Sequence, residues 1–231
     1  MTLLHHRDRI EGDLVIEVAF TDVSLSLGDA EADDVRADAL RQVAEATRSE
    51  PVLMHQVHGA HVDLVDDRRT GGPVSADAMV TARTGVALLA RAADCVPVLL
   101  ADPATGWIAA VHSGRPGLAA GVIPAAVAAV REHGGEPSVA WIGPHVCGAC
   151  YEVPGDLQAE VASVVPEARS TTSWGTPALD LGAGVRAQLD AAGVADVRVV
   201  AACTREDASW PSYRRDGAAA TRFAGVIWSH R

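Results

Sequence analysis

The sequence predicts a single α+β domain. The chain has 231 residues, of which 48% are hydrophobic, so it can bury a large core. Runs of short strands come first, and mixed helices and strands follow them, which differs from the strict alternation of a wound sheet. No linker rich in proline, glycine or serine divides the chain, so residues 1–231 are expected to form one domain.

The first half of the chain consists mainly of predicted strands. An apolar run predicts a strand at residues 14–20, and the helical spacing of apolar residues predicts a helix over 33–47. Short apolar and β-branched runs then predict strands at 51–54, 60–65, 78–81, 86–91, 98–101 and 107–111.

The second half begins with the most apolar helix that the sequence predicts. It covers residues 117–132 and is closed by Gly134 and Gly135. The remaining predicted elements are strands at 139–142, 197–201 and 223–228 and helices at 155–164 and 181–192.

Charge and composition exclude several classes of partner. The net charge of −11 and the lack of any basic run argue against binding to nucleic acid or to anionic membranes. The longest apolar stretch, 117–130, is too short to span a bilayer and contains Pro124. The first residues lack the apolar core of a signal peptide, and four cysteines are too few for a disulfide scaffold. We therefore expect a cytoplasmic protein with free thiols.

Three histidines, His55, His58 and His61, lie within seven residues between two predicted strands. A single histidine in a loop is usually solvated, and one pair spaced by three residues is weak support for a metal site. The cluster becomes informative only if a thiol and another imidazole converge on it.

A predicted hairpin supplies that second pair. Residues 102–106 form a strong turn signal between the strands at 98–101 and 107–111. If Asp102 opposes Trp107, then Pro97 opposes His112, and Cys95 lies roughly 7 Å further along the same open end. A buried apolar cysteine near an unrelated histidine is the alternative.

Zinc accepts thiolate sulfur and imidazole nitrogen together, and three protein ligands leave a fourth position open. One cysteine and two histidines therefore have the composition of a catalytic zinc site. Asp94 and Gln56 each flank a proposed ligand and could orient ligands or substrate. Ordinary turn polarity explains these two residues equally well.

Two further motifs have weaker signals. Arg115 follows His112 directly before the apolar helix, where free N–H groups and a guanidinium suit an anion such as phosphate. Cys147 and Cys150 form a CxxC motif, which is found in redox sites and in half of a zinc knuckle. Since the sequence has no second CxxC, we favour a role in packing or in lining a site.

In order along the chain, from about residue 24 to the end, the motifs resemble those of the YfiH/laccase-domain family, also called multicopper polyphenol oxidoreductase-like or purine nucleoside phosphorylase-like proteins. The matching motifs are SLSLG at 24–28, HQVHG at 55–59, SADA at 75–78, ADCVP at 93–97, VHSG at 111–114, IGP at 142–144, CYEV at 150–153, LDL at 179–181, CT at 203–204 and SYRRD at 212–216.

The resemblance implies mixed β-sheets packed together with flanking helices, as in the CNF-toxin-like cysteine hydrolases. It places the family's zinc ligands on His58, Cys95 and His112, with copper as a possible substitute, and it adds Arg214 to the substrate and anion contacts. Two departures affect substrate contacts. The family's HAGWRG reads HSGRPG at 112–117, and the cysteines of its GPCIGPCCYEV motif are relocated.

The resemblance implies phosphorolysis of adenosine, inosine and methylthioadenosine, with adenosine deamination as a side activity. Small nucleosides and phosphate are then the expected partners. A multicopper laccase needs about ten histidines, largely in HxH pairs, whereas this chain has nine and no HxH. Two alternatives stay open. Cys95 and His112 could serve a hydrolase that removes misincorporated L-serine from a peptidoglycan precursor, or the protein could bind metal or buffer redox changes without turnover.

Overall fold

The computed structural model describes residues 4–67 and 72–231. The strands over these residues are β1 His5–Ile10, β2 Val15–Phe20, β3 Glu50–Val52, β4 Val62–Leu64, β5 Ala78–Thr81, β6 Val86–Ala92, β7 Val96–Ala101, β8 Ile108–Ser113, β9 Val139–Ile142, β10 Arg169–Thr171, β11 Pro177–Leu179, β12 Asp196–Val199 and β13 Phe223–His230. The helices are α1 Asp33–Thr47, α2 Arg115–Ala119, α3 Val122–Glu132, α4 Gly155–Val164, α5 Leu181–Ala191 and α6 Tyr213–Asp216.

Two mixed sheets dominate the part of the chain that the structure describes. One has the strand order β1-β2-β13-β6-β3, and its β6–β3 pair is parallel while the others are antiparallel. The other has the order β12-β9-β7-β8-β5-β4, with parallel pairs at both edges. A small hairpin, β10–β11, lies apart from both. The predicted α+β class with mixed sheets is confirmed.

The two sheets pack face to face, and helices cover their outer faces. Strand β7 shows the principle, because its side chains alternate between the two faces of the sheet. Leu99 points into the core between the sheets, whereas Val98 and Leu100 point toward helices α2–α5. Val43 of α1 packs on the outer face of the first sheet. The layers therefore run helix, sheet, sheet, helix.

The prediction of one continuous helix over 117–132 is wrong, because the structure has two helices there. The apolar stretch 117–132 is divided into α2 and α3 by Gly121, whose φ of 80° is left-handed and ends the first helix. Both pieces still bury apolar residues against the second sheet. The prediction also missed β1, the β10–β11 hairpin and α6, which are short and have little apolar periodicity.

The β7–β8 hairpin has the predicted register. Pro97 pairs with His112 and Ala101 with Ile108, and the Asp102 side chain accepts hydrogen bonds that close the turn. Both strands are buried along their whole length. This register brings Cys95 and His112 to the same end of the second sheet. None of the helices in the described ranges has the length and apolar character needed to cross a membrane.

Candidate active site

The candidate site lies at the open end of the β7–β8 hairpin. Cys95 directly precedes β7, His112 lies near the end of β8, and His58 lies in the loop between β3 and β4. The potential ligand atoms of these three side chains all lie within 4.8 Å of one another. The Cys95 Sγ atom is 3.8 Å from His58 Nε2, and the two imidazole rings meet edge to face with centroids 4.8 Å apart.

Asp77 holds this arrangement in place, although sequence reasoning did not single it out. Its side chain is fully buried, and its Oδ1 atom lies 2.9 Å from His112 Nδ1. The carboxylate also accepts hydrogen bonds from the backbone N–H groups of Val57, His58 and Gly59. The imidazole of His112 thus presents Nε2 toward the site. The signal for Asp77 was the SADA motif, where a lone carboxylate precedes a buried strand.

The charges of these groups depend on one another. Burial opposes ionisation of the Cys95 thiol, but His112 and His58 outweigh it and lower the pKa to about 6. Burial likewise opposes protonation of His112, yet the Cys95 thiolate and Asp77 raise its pKa to about 9. Burial also opposes the charge on Asp77, but hydrogen bonds from His112 and the loop hold its pKa below the usual range. In the metal-free protein, Cys95 and His112 therefore form a thiolate–imidazolium pair at neutral pH.

This pair predicts selective alkylation. In metal-free protein at pH 7, iodoacetamide is expected to modify Cys95 well before Cys147, whose pKa is raised to about 12 by burial and by its neighbouring thiols. Lowering the pH to 5 should slow the Cys95 reaction about tenfold, because the thiolate fraction falls. Peptide mass spectrometry over a time course measures both rates. Equal rates for the two cysteines would contradict the assignment.

His58, Cys95 and His112 form the triad of the candidate site. Two residues in or beside it have left-handed backbone conformations, which are unusual for residues other than glycine. The φ angle is 60° at His58 and 86° at Asp94. Such conformations cost free energy and persist only where surrounding contacts hold them, and they are concentrated at functional sites. Here those contacts are the Asp77 carboxylate for His58 and two hydrogen bonds to the side chain of Asp94.

A cavity of about 600 Å³ opens onto the triad. The residues that line it are Asp29, Gln56, His58, Arg91, Ala92, Ala93, Asp94, Cys95, His112, Tyr151, Tyr213, Arg214 and Arg222. The chain has only two tyrosines, and both are in this lining. Its volume lies within the range of small-molecule sites.

Gln56 and Asp94 line the cavity, but their polar atoms bind the protein itself. The amide of Gln56 makes paired hydrogen bonds of 2.8 and 2.9 Å with the backbone of Arg91, which attaches the loop of residues 53–61, called here the histidine loop, to β6. The Asp94 carboxylate accepts hydrogen bonds of 2.6 Å from the Thr204 hydroxyl and from the Arg214 backbone N–H. These contacts suit positioning roles.

The two predicted anion contacts differ in their position. Arg214 lines the cavity, and its guanidinium carbon lies 4.6 Å from the centroid of the Tyr151 ring. Arg115, the first residue of α2, is half-buried and lies outside that lining. Burial and the negative charge of Cys95 raise the pKa of Tyr151, and the positive charges of Arg214 and Arg115 oppose that rise. Proline in the first turn of α2 is as predicted.

Comparison with relatives supports the resemblance found in the sequence. The purine nucleoside phosphorylase SCO2081 of Streptomyces coelicolor is 52% identical over 212 residues, which cover 88% of this chain and 87% of that protein. A protein of Mycobacterium bovis, also named purine nucleoside phosphorylase, is 40% identical over 89% of this chain and 84% of its own length.

Solved structures agree with this fold. A Neisseria meningitidis protein superposes with a TM-score of 0.85 at 28% identity and covers 98% of this chain and 99% of its own. YlmD from Geobacillus stearothermophilus superposes with a TM-score of 0.84 at 28% identity and covers 94% of this chain and 92% of its own.

Residues 8–230 match the family model described as multi-copper polyphenol oxidoreductase laccase. On these grounds the chain belongs to this laccase-like family.

Proposed function

We propose that this protein is a purine nucleoside phosphorylase that acts on adenosine, inosine and methylthioadenosine and deaminates adenosine as a side reaction. The observation that carries the proposal is the single cavity in which His58, Cys95 and His112 adjoin two tyrosines and Arg214. The names of relatives at up to 52% identity support the same reaction class.

The triad fits a zinc ion by the chemistry of its donors. One thiolate and two imidazoles form a ligand set that zinc accepts, and three ligands leave a position for substrate or water. The hydrogen bond between His112 and Asp77 is the kind of contact that orients a metal-binding histidine. When bound, the ion would supply Lewis-acid polarisation of a substrate atom. Copper could occupy the same three ligands.

The side chains around the triad suit a nucleoside and phosphate. Tyr151 and Tyr213 offer aromatic faces for a purine, and Arg214 offers a guanidinium for the anion. In phosphorolysis a phosphate oxygen bonds to the anomeric carbon of the ribose. The glycosidic bond to the base nitrogen breaks as the new bond forms, and the base leaves with the bonding electrons and takes up a proton. Holding the anion beside the sugar is therefore the main task of the chain's own residues.

Incubation with adenosine, with and without phosphate, tests the proposal. Adenine and ribose 1-phosphate should form only with phosphate, and a smaller amount of inosine should form in either condition. The Cys95→Ala variant should lose both activities. If the wild type forms no product from any of the three nucleosides, in the presence of phosphate and zinc, the proposal is wrong.

Replacing Arg214 with glutamine should raise the apparent phosphate constant about tenfold or more, because a charge-assisted contact is worth roughly 1.5–3 kcal/mol. Phosphate saturation curves at fixed adenosine measure the change. Arg186→Gln, an exposed arginine paired with Asp190 on α5, serves as the control and should have no effect. A larger rise in Arg115→Gln than in Arg214→Gln would instead place the phosphate at the start of α2.

One observation favours a second candidate function. Cys95, His112 and Asp77 are arranged as a nucleophile, a base and an orienting carboxylate, which is the order of a cysteine hydrolase. In that reaction the thiolate attacks an acyl carbon, the amine of L-serine leaves with a proton from His112, and water then hydrolyses the thioester. Release of L-serine from the peptidoglycan precursor, without any nucleoside turnover, would select this function. Metal uptake with neither activity would indicate a binding protein.

A further inference from the structure

A second group of potential metal ligands lies outside the triad. It combines Cys147 and Cys150 with Cys203 and Glu206, and one ligand atom from each of the four lies within 4.8 Å of all the others. The two halves share the same spacing, because Cys203-Thr-Arg-Glu206 repeats the CxxC interval with a carboxylate in the fourth place. Two pairs of ligands, each spaced three residues apart, are typical of structural zinc sites, and here a glutamate takes the place of the usual fourth cysteine or histidine.

Both halves form the same kind of turn. The N–H of Cys150 donates to the carbonyl of Cys147 at 2.9 Å, and the N–H of Glu206 donates to the carbonyl of Cys203 at 3.1 Å. Each turn thereby places its first and fourth side chains on one side. In addition, the backbone N–H of Cys147 donates a hydrogen bond of 3.4 Å to the Cys203 sulfur, which links the two turns directly.

The backbone fixes the two turns against each other. His145 and Cys203 form a parallel β-bridge, with Thr204 N–H donating to the His145 carbonyl at 3.0 Å. The convergence of the four ligands therefore follows from main-chain pairing as well as from side-chain rotamers. Cys150 is buried, whereas Glu206 is exposed, so the cluster reaches the surface and an ion can enter from solvent.

We propose that Cys147, Cys150, Cys203 and Glu206 bind a second metal ion. The ion is zinc, and its site is structural and closed, with four protein ligands. Three thiolates and a carboxylate fill a tetrahedral shell and leave no position for substrate, in contrast to the triad. The four deprotonated ligands carry four negative charges, and the zinc ion carries two positive charges. Arg205, which contacts the Cys150 thiol, offsets part of the excess negative charge. This inference does not depend on the proposed phosphorylase activity.

The second ion would hold one wall of the active-site cavity. Thr204 lies inside the Cys203–Glu206 turn, and its hydroxyl donates to Asp94, the residue before Cys95. Tyr151, which lines the cavity, directly follows Cys150. Both turns therefore connect the metal cluster to the cavity through one residue each, which assigns the ion a positioning role.

Metal content of the purified protein, loaded with Zn²⁺ and dialysed, tests the proposal. Wild type should hold two zinc ions per chain. Cys95→Ser should keep one of them, and Cys203→Ser should keep the other. Because Cys203→Ser could fail to fold, Glu206→Gln serves as the milder variant. The chelator concentration that removes its second ion should be at least tenfold lower than the concentration needed for wild type. Glu160→Gln, an exposed glutamate on α4, is the matched control.

Cobalt provides a readout that does not depend on activity. In Cys95→Ser loaded with Co²⁺, the remaining ion should show the intense thiolate charge-transfer bands of a three-sulfur tetrahedral site, and Glu160→Gln should not alter the wild-type spectrum. A wild-type zinc content of one ion, lost in Cys95→Ser and retained in Glu206→Gln, would overturn the proposal. Detection of a disulfide between Cys147 and either partner in protein purified under reducing conditions would also overturn it. A wild type with one ion that survives Cys95→Ser but not Cys203→Ser would support the second site and refute the first.

Discussion

Replacing Asp77 with asparagine is expected to weaken zinc binding at the triad 10–100-fold and to lower the free energy of unfolding by roughly 3 kcal/mol. The fully buried carboxylate accepts four hydrogen bonds, two on each oxygen, from His112 and three backbone N–H groups. Asparagine keeps only one acceptor oxygen, so whichever way its amide turns, two donors face an NH₂ group.

Urea unfolding and competition with a chelator of known affinity measure the two effects. Asp34→Asn, at an exposed position in the first turn of α1, is the control and should change the free energy of unfolding by less than about 0.5 kcal/mol. If Asp77→Asn matched that control in both measurements, the hydrogen bonds would have no role in forming the site.

Replacing Gly114 with alanine is expected to weaken zinc binding at the triad at least a hundredfold and to lower the rate of turnover by at least the same factor. A Cβ atom at this position would lie 2.6 Å from the His58 ring and 3.1 Å from the Cys95 sulfur. The contact with the His58 ring is closer than Cβ atoms approach in real structures, and the contact with the Cys95 sulfur is tight, so the ring has to move away from its place in the triad. The proposed zinc site would then keep two of its three ligands.

The matched control for this change is Gly72→Ala, whose Cβ would meet no atom of the described residues within 4 Å. Metal content, adenosine turnover and the thermal unfolding midpoint should be measured for both variants. We expect Gly114→Ala to stay folded, because the space it fills belongs to the site rather than to the core. Full zinc occupancy in Gly114→Ala would show that His58 is not a ligand.

The hairpin was the most predictable part of the site. The turn at 102–106 fixes the register of two apolar strands, so the proximity of Cys95 and His112 follows from local rules. His58 could not be placed in this way, because its loop reaches the hairpin through the buried carboxylate of Asp77, which directly precedes strand β5. Spacing alone suggested that the histidine cluster joins the pair, and the family resemblance pointed to His58 within that cluster. Long-range contacts of this kind leave no periodic signal in a single sequence.

The remaining differences have similar physical reasons. Helix periodicity correctly found the apolar face of 117–132, but it does not record that Gly121 turns left-handed within it. The turn at Cys203 does not form a second CxxC motif, because its fourth residue is Glu206. A glutamate followed by an aspartate in an exposed loop resembles ordinary surface polarity. The mixed sheets followed from the resemblance, since strand pairing between distant segments is not written in their composition.

The amides that end on Asp77 also determine how the histidine loop moves. Loops of exposed side chains usually fluctuate in nanoseconds, independently of the core. Here the loop cannot move away from Asp77 without breaking the hydrogen bonds from the N–H groups of Val57, His58 and Gly59. The buried carboxylate would then carry a negative charge with neither these donors nor water around it. Their hydrogens should therefore exchange with solvent only when the second sheet itself opens, as part of the same cooperative unit. His58 is thus preorganised for its partner, and little conformational entropy is lost when a metal or a substrate arrives.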